Sequence, residues 1–318
     1  MRVVVVGGGS WGSVFGALLA ERGHEVTLAC RDPEEARIIA ETGRNPRYIT
    51  DADLSAVSAA PLADAPFGEA ELVCLAVPSR AFREVAEALP GSAPVLSLTK
   101  GLDPETGERL SRVVRGRPVA VLTGPNHAEE IAQGLPAAAV ISSEDEALAV
   151  ELQHAIISPR FRVYLNSDLV GVELCAAAKN VMALAAGGVD GFGFGDNAKA
   201  ALITRGLSEM ARLGEACGAR GETFSGLAGM GDLIVTCFSR HSRNRRAGEL
   251  IAQGRSAEEA REEIGMVVEG LTTAPVLRDL SRRLGVELPI TEAICEVLNG
   301  TSALDLVSGL MRRTPTDE

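Results

Sequence analysis

Apolar residues along this chain fall into two regimes. Up to about residue 168 they come as short runs: Val3–Val6, Glu25–Cys30, Leu72–Val77, Pro94–Leu98, Pro118–Leu122, Ala137–Ile141 and Phe161–Leu165. Short apolar runs of this kind read as strands buried on both faces. Segments with helical spacing lie between them, through Val14, Phe15, Leu18 and Leu19 and near Ser79–Leu89, Asn126–Gln133 and Glu144–Ile156. Strands interleaved with helices predict an α/β domain over residues 1–168, a Rossmann-type, doubly wound and mostly parallel sheet. Beyond it strand-like runs vanish. Helical spacing over Leu169–Ala186, Ala198–Cys217, Ser256–Ile264, Thr272–Leu284 and Ile290–Leu298 predicts a second, all-α domain over 169–318. The glycine-rich stretch Gly187–Gly195 reads as punctuation between helices, and Arg312–Glu318 as a disordered end.

Composition narrows the function. A net charge of -12 and an aromatic content of 3% argue against nucleic acid as a partner. Six Cys without paired spacing read as free thiols of a reducing compartment, which places the chain in the cytoplasm. Four His in no ligand pattern predict no metal, and no continuous apolar run reaches the ~18 residues of a membrane span. Ala-rich apolar helices make a homodimer reasonable. Of 31 basic residues only Lys100, Lys179 and Lys199 are lysines. A lysine kept against such a background is a candidate for titrating its proton near neutral pH, which Arg cannot do.

Gly7-Gly8-Gly9-Ser10-Trp11-Gly12 follows the first strand and opens a helix. Gly7 permits the tight turn, Gly9 lets backbone approach a pyrophosphate, and Gly12 allows close helix–strand packing, which together predict dinucleotide binding. At the end of the second strand Asp32 is expected to cap the next helix, with Pro33 at its first position and Glu35 closing a capping box. Arg31 is then left facing the adenosine, which favours NADP with NAD tolerated.

Lys100 and the Gly124-Pro125-Asn126 turn both follow strands, at the carboxyl ends where open α/β sheets bind ligands. Asn126 could cap the next helix, and His127 reads as structural. Lys179 lies on an Ala/Leu-rich helix, where desolvation would suit a general acid, and Asn180 beside it could orient a substrate oxygen. Asp232, with Thr236 four residues on, is expected in a tight glycine turn presenting both side chains. Ser242, Arg243 and Asn244 lie in the one dense basic cluster and form a candidate phosphate fork.

GGGSWG, SLTKGL, TGPNHAEE, VELCAAAKNVMALAAG, GFGFGDNAKAALITRGLSEM, GLAGMGDLIVTC, SRNRRAG and VVEG occur in this order. The chain therefore resembles, over nearly its whole length, the NAD(P)-dependent glycerol-3-phosphate dehydrogenases of the bacterial type. The resemblance implies reduction of dihydroxyacetone phosphate to sn-glycerol 3-phosphate, supplying phospholipid synthesis. It implies Lys179 as the catalytic proton donor or acceptor, with Lys100 and Asp232 in its polar network. Gly124, Asn126, Ser242, Arg243 and Asn244 would line the substrate site. Ser10, Trp11, Arg31, Tyr48, Lys100, Ala128, Arg243, Val267 and Glu269 would touch the cofactor, and Lys199 would be structural. Two places depart from the family: Asn126 stands where Ser is common, and Ile-Thr-Asp-Ala-Asp-Leu follows Tyr48 in place of Leu-Pro-Gly. A ketopantoate reductase is the nearest rival, but its carboxylate substrate has no need of a phosphate fork. A dinucleotide sensor without turnover would have no need of Lys100, Lys179 and Asp232 together.

Overall fold

The structure, a computed structural model, describes residues 1–302 and 304. The predicted disordered end, Arg312–Glu318, and the last part of the 169–318 segment lie outside the described residues. The first half runs β1 (Arg2–Val6), α1 (Ser10–Glu21), β2 (Glu25–Cys30), α2 (Pro33–Thr42), β3 (Ser58–Pro61), β4 (Leu72–Leu75) and α3 (Ser79–Ala88). It continues with β5 (Val95–Ser97), α4 (Leu110–Val113), β6 (Val119–Thr123), α5 (Ala128–Ala132), β7 (Ala137–Ser143), α6 (Glu146–Ile156) and β8 (Phe161–Leu165). These strands form one eight-stranded sheet in the order β3-β2-β1-β4-β5-β6-β7-β8. Every neighbouring pair is parallel except β6 with β7. The expected sheet is therefore present. Its burial on both faces shows within β1, where Val3 and Val5 join one hydrophobic cluster and Val4 and Val6 another.

One strand lies outside the sequence expectation. β3 is Ser-Ala-Ala-Pro, an edge strand that pairs only with β2. An edge position tolerates small residues and a terminal proline, so it leaves no apolar run to read.

After β8 the chain is helical: α7 (Leu169–Gly191), α8 (Gly195–Ala216), α9 (Gly221–Ser225), α10 (Asp232–Phe238), α11 (Arg243–Ala252), α12 (Ala257–Ile264), α13 (Glu269–Leu284) and α14 (Pro289–Leu298). Asp168 caps α7, accepting from Gly171 N at 2.9 Å and from Thr223 Oγ1 at 2.6 Å. By length and composition α7 could cross a membrane, yet it is the buried core of the helical half and carries Glu173, Lys179 and Asn180 inward. Its apolarity is that of an interior helix.

The expected break at Gly187 is absent, because α7 continues through Gly187 and Gly188 to Gly191. Close packing explains the glycines. A Cβ on Gly187 would fall on the Arg245 carbonyl oxygen of α11, and one on Gly248 of α11 on the Leu184 carbonyl oxygen of α7. Two helices that approach so closely need bare backbone at the crossing.

α7 is also tied to the sheet half. Glu173 is buried and accepts from Ser111 N at 2.8 Å, Ser111 Oγ at 2.6 Å and Arg109 Nη1 at 2.8 Å. Six residues on, about 9 Å along the helix axis, stands Lys179.

Candidate active site

The carboxyl ends of β1, β4, β5 and β6 share one edge of the sheet, and the site is built there. β1 ends at Val6, and Gly7 turns the chain with φ +115°. A Cβ on Gly7 would stand 2.5 Å from the Ala76 carbonyl oxygen, and one on Gly12 would fall on the Gly7 carbonyl oxygen. Both are glycine by necessity. Gly9, by contrast, faces open space and supplies no side-chain cap to α1, so first-turn amides stay free for an anion. The cradle fits a dinucleotide pyrophosphate. Ser10 Oγ donates to the Tyr48 carbonyl at 3.2 Å, and the Trp11 ring lies tilted against Phe15 and Phe161, its Nε1 buried with no partner among the described residues.

Arg31 follows β2 and is exposed, while Asp32 caps α2 by accepting from Glu34 N at 2.9 Å. The capping box expected from Glu35 does not form. Its carboxylate turns inward instead and accepts from Asn45 Nδ2 at 3.4 Å, and burial raises its pKa.

A buried polar cluster centres on Asp232. Lys179 Nζ donates to Asp232 Oδ1 at 2.7 Å and to Thr236 Oγ1 at 2.9 Å. Lys100 Nζ donates to Asp232 Oδ2 at 2.9 Å, to Asn126 Oδ1 at 2.8 Å and to the Gly124 carbonyl at 3.0 Å. Lys179, Asp232 and Thr236 sit on helices, whereas Lys100, Gly124 and Asn126 sit on turns after β5 and β6. Asp232 does not lie in the expected turn. A π-helical turn, Leu227–Gly231, leads into α10, so Asp232 and Thr236 stand one helical turn apart on one face. Asn126 does not cap α5 either; His127 holds that position.

Two cations around one carboxylate leave the cluster with a net positive charge, which suits an anionic ligand. Burial would raise the Asp232 carboxyl, but the two flanking ammonium groups outweigh it and hold its pKa at about 2. Burial pulls Lys179 down to about 8, with Asp232 opposing and Lys100 assisting. Burial and both lysines push His127 down to about 4, so its imidazole is neutral. Its Nε2 and Asn126 Nδ2 are buried with no partner among the described residues.

The remaining predicted residues flank this cluster. Asn180 Nδ2 donates to the Lys100 carbonyl at 3.2 Å, and its Oδ1 accepts from Asn244 Nδ2 at 3.0 Å. Asn244 Oδ1 in turn accepts from Gly270 N at 2.8 Å. Ser242 caps α11, accepting from Arg245 N at 3.2 Å, and Arg243 Nη1 reaches the Val267 carbonyl at 2.9 Å. The three residues thus stand together at one helix start, with Arg243 exposed and Ser242 and Asn244 buried. Glu269 accepts from Ser79 N at 2.9 Å and Ser79 Oγ at 2.5 Å, and Ala128 opens α5. Lys199 stands apart, paired with Asp190 at 2.8 Å and lying over the Phe238 ring.

Two residues of the site had no place in the sequence reading. Thr123, at the end of β6, donates to Asp232 Oδ2 at 3.3 Å. Asn45 is fully buried and donates to the Gly8 carbonyl at 2.7 Å and Ser13 Oγ at 2.9 Å. The Asn45-Pro46 turn dipeptide was the available signal for the second.

Comparison with known proteins settles the family. Residues 2–149 match the NAD-dependent glycerol-3-phosphate dehydrogenase N-terminus, and residues 168–307 match the C-terminus of the same enzymes. The chain belongs to the NAD-dependent glycerol-3-phosphate dehydrogenases. Glycerol-3-phosphate dehydrogenase [NAD(P)+] of Moorella thermoacetica is 46% identical, with 99% of this chain and 97% of that one covered. The Clostridium tetani enzyme of the same name is 43% identical over 99% of this chain and 93% of its own. The crystal structure of glycerol-3-phosphate dehydrogenase from Coxiella burnetii superposes with a TM-score of 0.94 at 34% identity, covering 98% of this chain and 99% of that one. A ketopantoate reductase from Ralstonia eutropha, at 19% identity and a TM-score of 0.61, shares the fold alone, with 96% of this chain and all of that one covered. A glycerol-3-phosphate dehydrogenase is an oxidoreductase that interconverts dihydroxyacetone phosphate and sn-glycerol 3-phosphate with a nicotinamide dinucleotide. Among the described residues no group of His, Cys, Asp and Glu could hold a metal.

Proposed function

We propose that Lys179 is the proton donor when dihydroxyacetone phosphate is reduced, and the acceptor when glycerol 3-phosphate is oxidised. The observation that carries this is its buried ammonium, held between Asp232 and Thr236 with its pKa lowered by burial to about 8. The dinucleotide, when bound, supplies the hydride to C2 of the substrate. As charge develops on the C2 oxygen, Lys179 Nζ gives up a proton to it, and Asp232 retains Lys100 as counter-ion. Asn180, fixed from two sides by Lys100 and Asn244, orients the same oxygen. Asn126 and the Gly124 turn close the substrate end.

The substrate phosphate is read at Ser242, Arg243 and Asn244, the start of α11. Dihydroxyacetone phosphate should therefore be reduced with a kcat/KM about 100-fold above that of unphosphorylated dihydroxyacetone or ketopantoate. Arg243→Ala should shrink that ratio, chiefly by raising KM. NADPH oxidation, followed by the absorbance of the reduced nicotinamide, measures both. Equal rates for the phosphorylated and plain ketones would remove the phosphate site from the assignment.

The dinucleotide lies over Gly7, Gly9, Ser10, Trp11 and Gly12, with Tyr48, Lys100, Ala128, Arg243, Val267 and Glu269 around it. NADP is favoured and NAD tolerated, which the exposed Arg31 and the capping role of Asp32 support. The chain divides at Asp168 into a dinucleotide-binding half and a helical catalytic half. It works as a cytoplasmic homodimer, supplying glycerol 3-phosphate to phospholipid synthesis. The exposed apolar side chains of Met230, Ile234 and Phe238 support an interface.

A further inference from the structure

We propose that Glu35 and Arg47 set the balance between NAD and NADP: Glu35 accepts from the adenosine ribose hydroxyls of NAD, and Arg47 joins Arg31 in holding the 2′-phosphate of NADP. The inference rests on the reading of Gly7–Gly12 as the dinucleotide cradle.

In doubly wound sheets that prefer NAD, an acidic residue at the end of β2 takes the ribose hydroxyls. Here Arg31 holds that place, and Asp32 is occupied as a helix cap. Glu35 lies one helical turn further and points back. A Cβ on Gly8 would stand 2.9 Å from Glu35 Oε1 and 2.9 Å from Cys30 Sγ. The carboxylate thus lies against the middle of the glycine turn, in the crevice between β1 and β2 where a ribose is received.

Among the described residues its hydrogen-bonding capacity is largely unused. Asn45 Nδ2 has two hydrogens and three acceptors in reach: the Gly8 carbonyl at 2.7 Å, Ser13 Oγ at 2.9 Å and Glu35 Oε1 at 3.4 Å. Glu35 receives the longest of the three. An ionised carboxylate has about four acceptor positions, so a ribose diol can be accommodated.

Arg47 is brought to the same place by Asn45. The amides of Arg47 and Tyr48 both donate to Asn45 Oδ1 at 3.0 Å, which fixes their loop onto the glycine turn. The Arg47 guanidinium lies 5.2 Å above the Tyr48 ring, exposed. Arg31 and Arg47 both act on the Glu35 carboxylate by charge, and neither is in a salt bridge among the described residues. A 2′-phosphate placed there would be repelled by Glu35 and attracted by two guanidinium groups. A 2′-hydroxyl would instead donate to Glu35. One constellation can then serve both cofactors.

The test is kcat/KM for NADPH and for NADH, with dihydroxyacetone phosphate, in the full-length protein and in Glu35→Gln, Arg47→Ala and Arg31→Ala. Glu35→Gln is expected to shift the NADPH/NADH preference about tenfold towards NADPH, and Arg47→Ala about tenfold towards NADH. Calorimetric binding of adenosine 2′,5′-bisphosphate against adenosine 5′-monophosphate should move the same way, independently of turnover. A Glu35→Gln variant that weakens both ligands equally would show that Glu35 only supports the turn, and would overturn the proposal. So would an Arg47→Ala variant with an unchanged ratio. An Arg31→Ala variant that leaves the ratio unmoved while the other two shift it would remove Arg31 from the cofactor site and leave Glu35 and Arg47 in place.

Discussion

Lys179→Met is expected to lower kcat for reduction by about three orders of magnitude and to leave dinucleotide affinity nearly unchanged. General acid catalysis contributes about 10²- to 10⁴-fold, and among the described residues Lys179 is the one ammonium on Asp232 Oδ1, its neighbour there being only the far weaker acid of the Thr236 hydroxyl. Met fills most of the vacated volume without a charge. Asp232 still has Lys100 at 2.9 Å, so the substitution does not strand a buried carboxylate. The pH profile makes the prediction sharper. Reduction needs the ammonium form, whose population falls as pH rises through about 8, so its rate should decline above that value. Oxidation needs the neutral amine and should rise through the same range. Both inflections should vanish in the variant. Trp11 is the sole tryptophan of the chain and stands in the first turn of α1 after the glycine turn, so quenching of its fluorescence should report dinucleotide binding separately. Undiminished turnover by Lys179→Met would sink the assignment.

The second large effect is on stability. Gly248→Ala should destabilise the fold by about 3 kcal/mol, at the upper end for overpacking, because the new methyl meets backbone rather than a side chain. The obstructing atoms are the Leu184 carbonyl of α7 and Gly188 N, neither of which can rotate away. Gly188→Ala is the internal control. It lies on α7 itself with nothing within 4 Å of its Cβ position, so helix propensity should make it neutral or stabilising by up to about 1 kcal/mol. Urea midpoints compare the two. Equal midpoints would mean that the α7–α11 crossing tolerates separation. Because α11 carries Asn244 and α7 carries Asn180, 3.0 Å apart, the KM for substrate should rise with the loss of stability.

The contrast shows where sequence reasoning held and where it stopped. The seven apolar strand runs and the α/β-to-helical change were legible because burial on both faces leaves an unbroken apolar signature. β3 was not, since an edge strand of Ser, Ala and Pro needs no such signature. Gly187 reads as a break because glycine is a breaker by propensity, whereas here tertiary packing overrides propensity and uses its missing side chain. Asp232 and Thr236 were rightly paired by their spacing of four, but glycines around them suggested a turn where the backbone winds as a π-turn into a helix. At the site, Lys100 stands out by rarity and its place after a strand, and Lys179 by rarity and apolar surroundings. Thr123 and Asn45 did not, because a lone Thr at a strand end or an Asn in a turn is common everywhere. Their importance comes from what long-range contacts bring to them.

The scarcity of lysine has a consequence for the outside of the molecule. The three lysine side chains are 18%, 6% and 7% exposed, two against Asp232 and the third against Asp190. Every other basic side chain, the four histidines apart, is arginine, which keeps its charge to far above physiological pH. The exterior therefore offers almost no amine nucleophile. An acylating or carbonyl-bearing reagent meets the N-terminus, near His24, and otherwise only Lys199 beside Asp190 and the two amines on Asp232. Labelling of Lys100 and Lys179 would be labelling of the proposed active site, and bound substrate should slow it there while leaving the N-terminus and Lys199 unaffected.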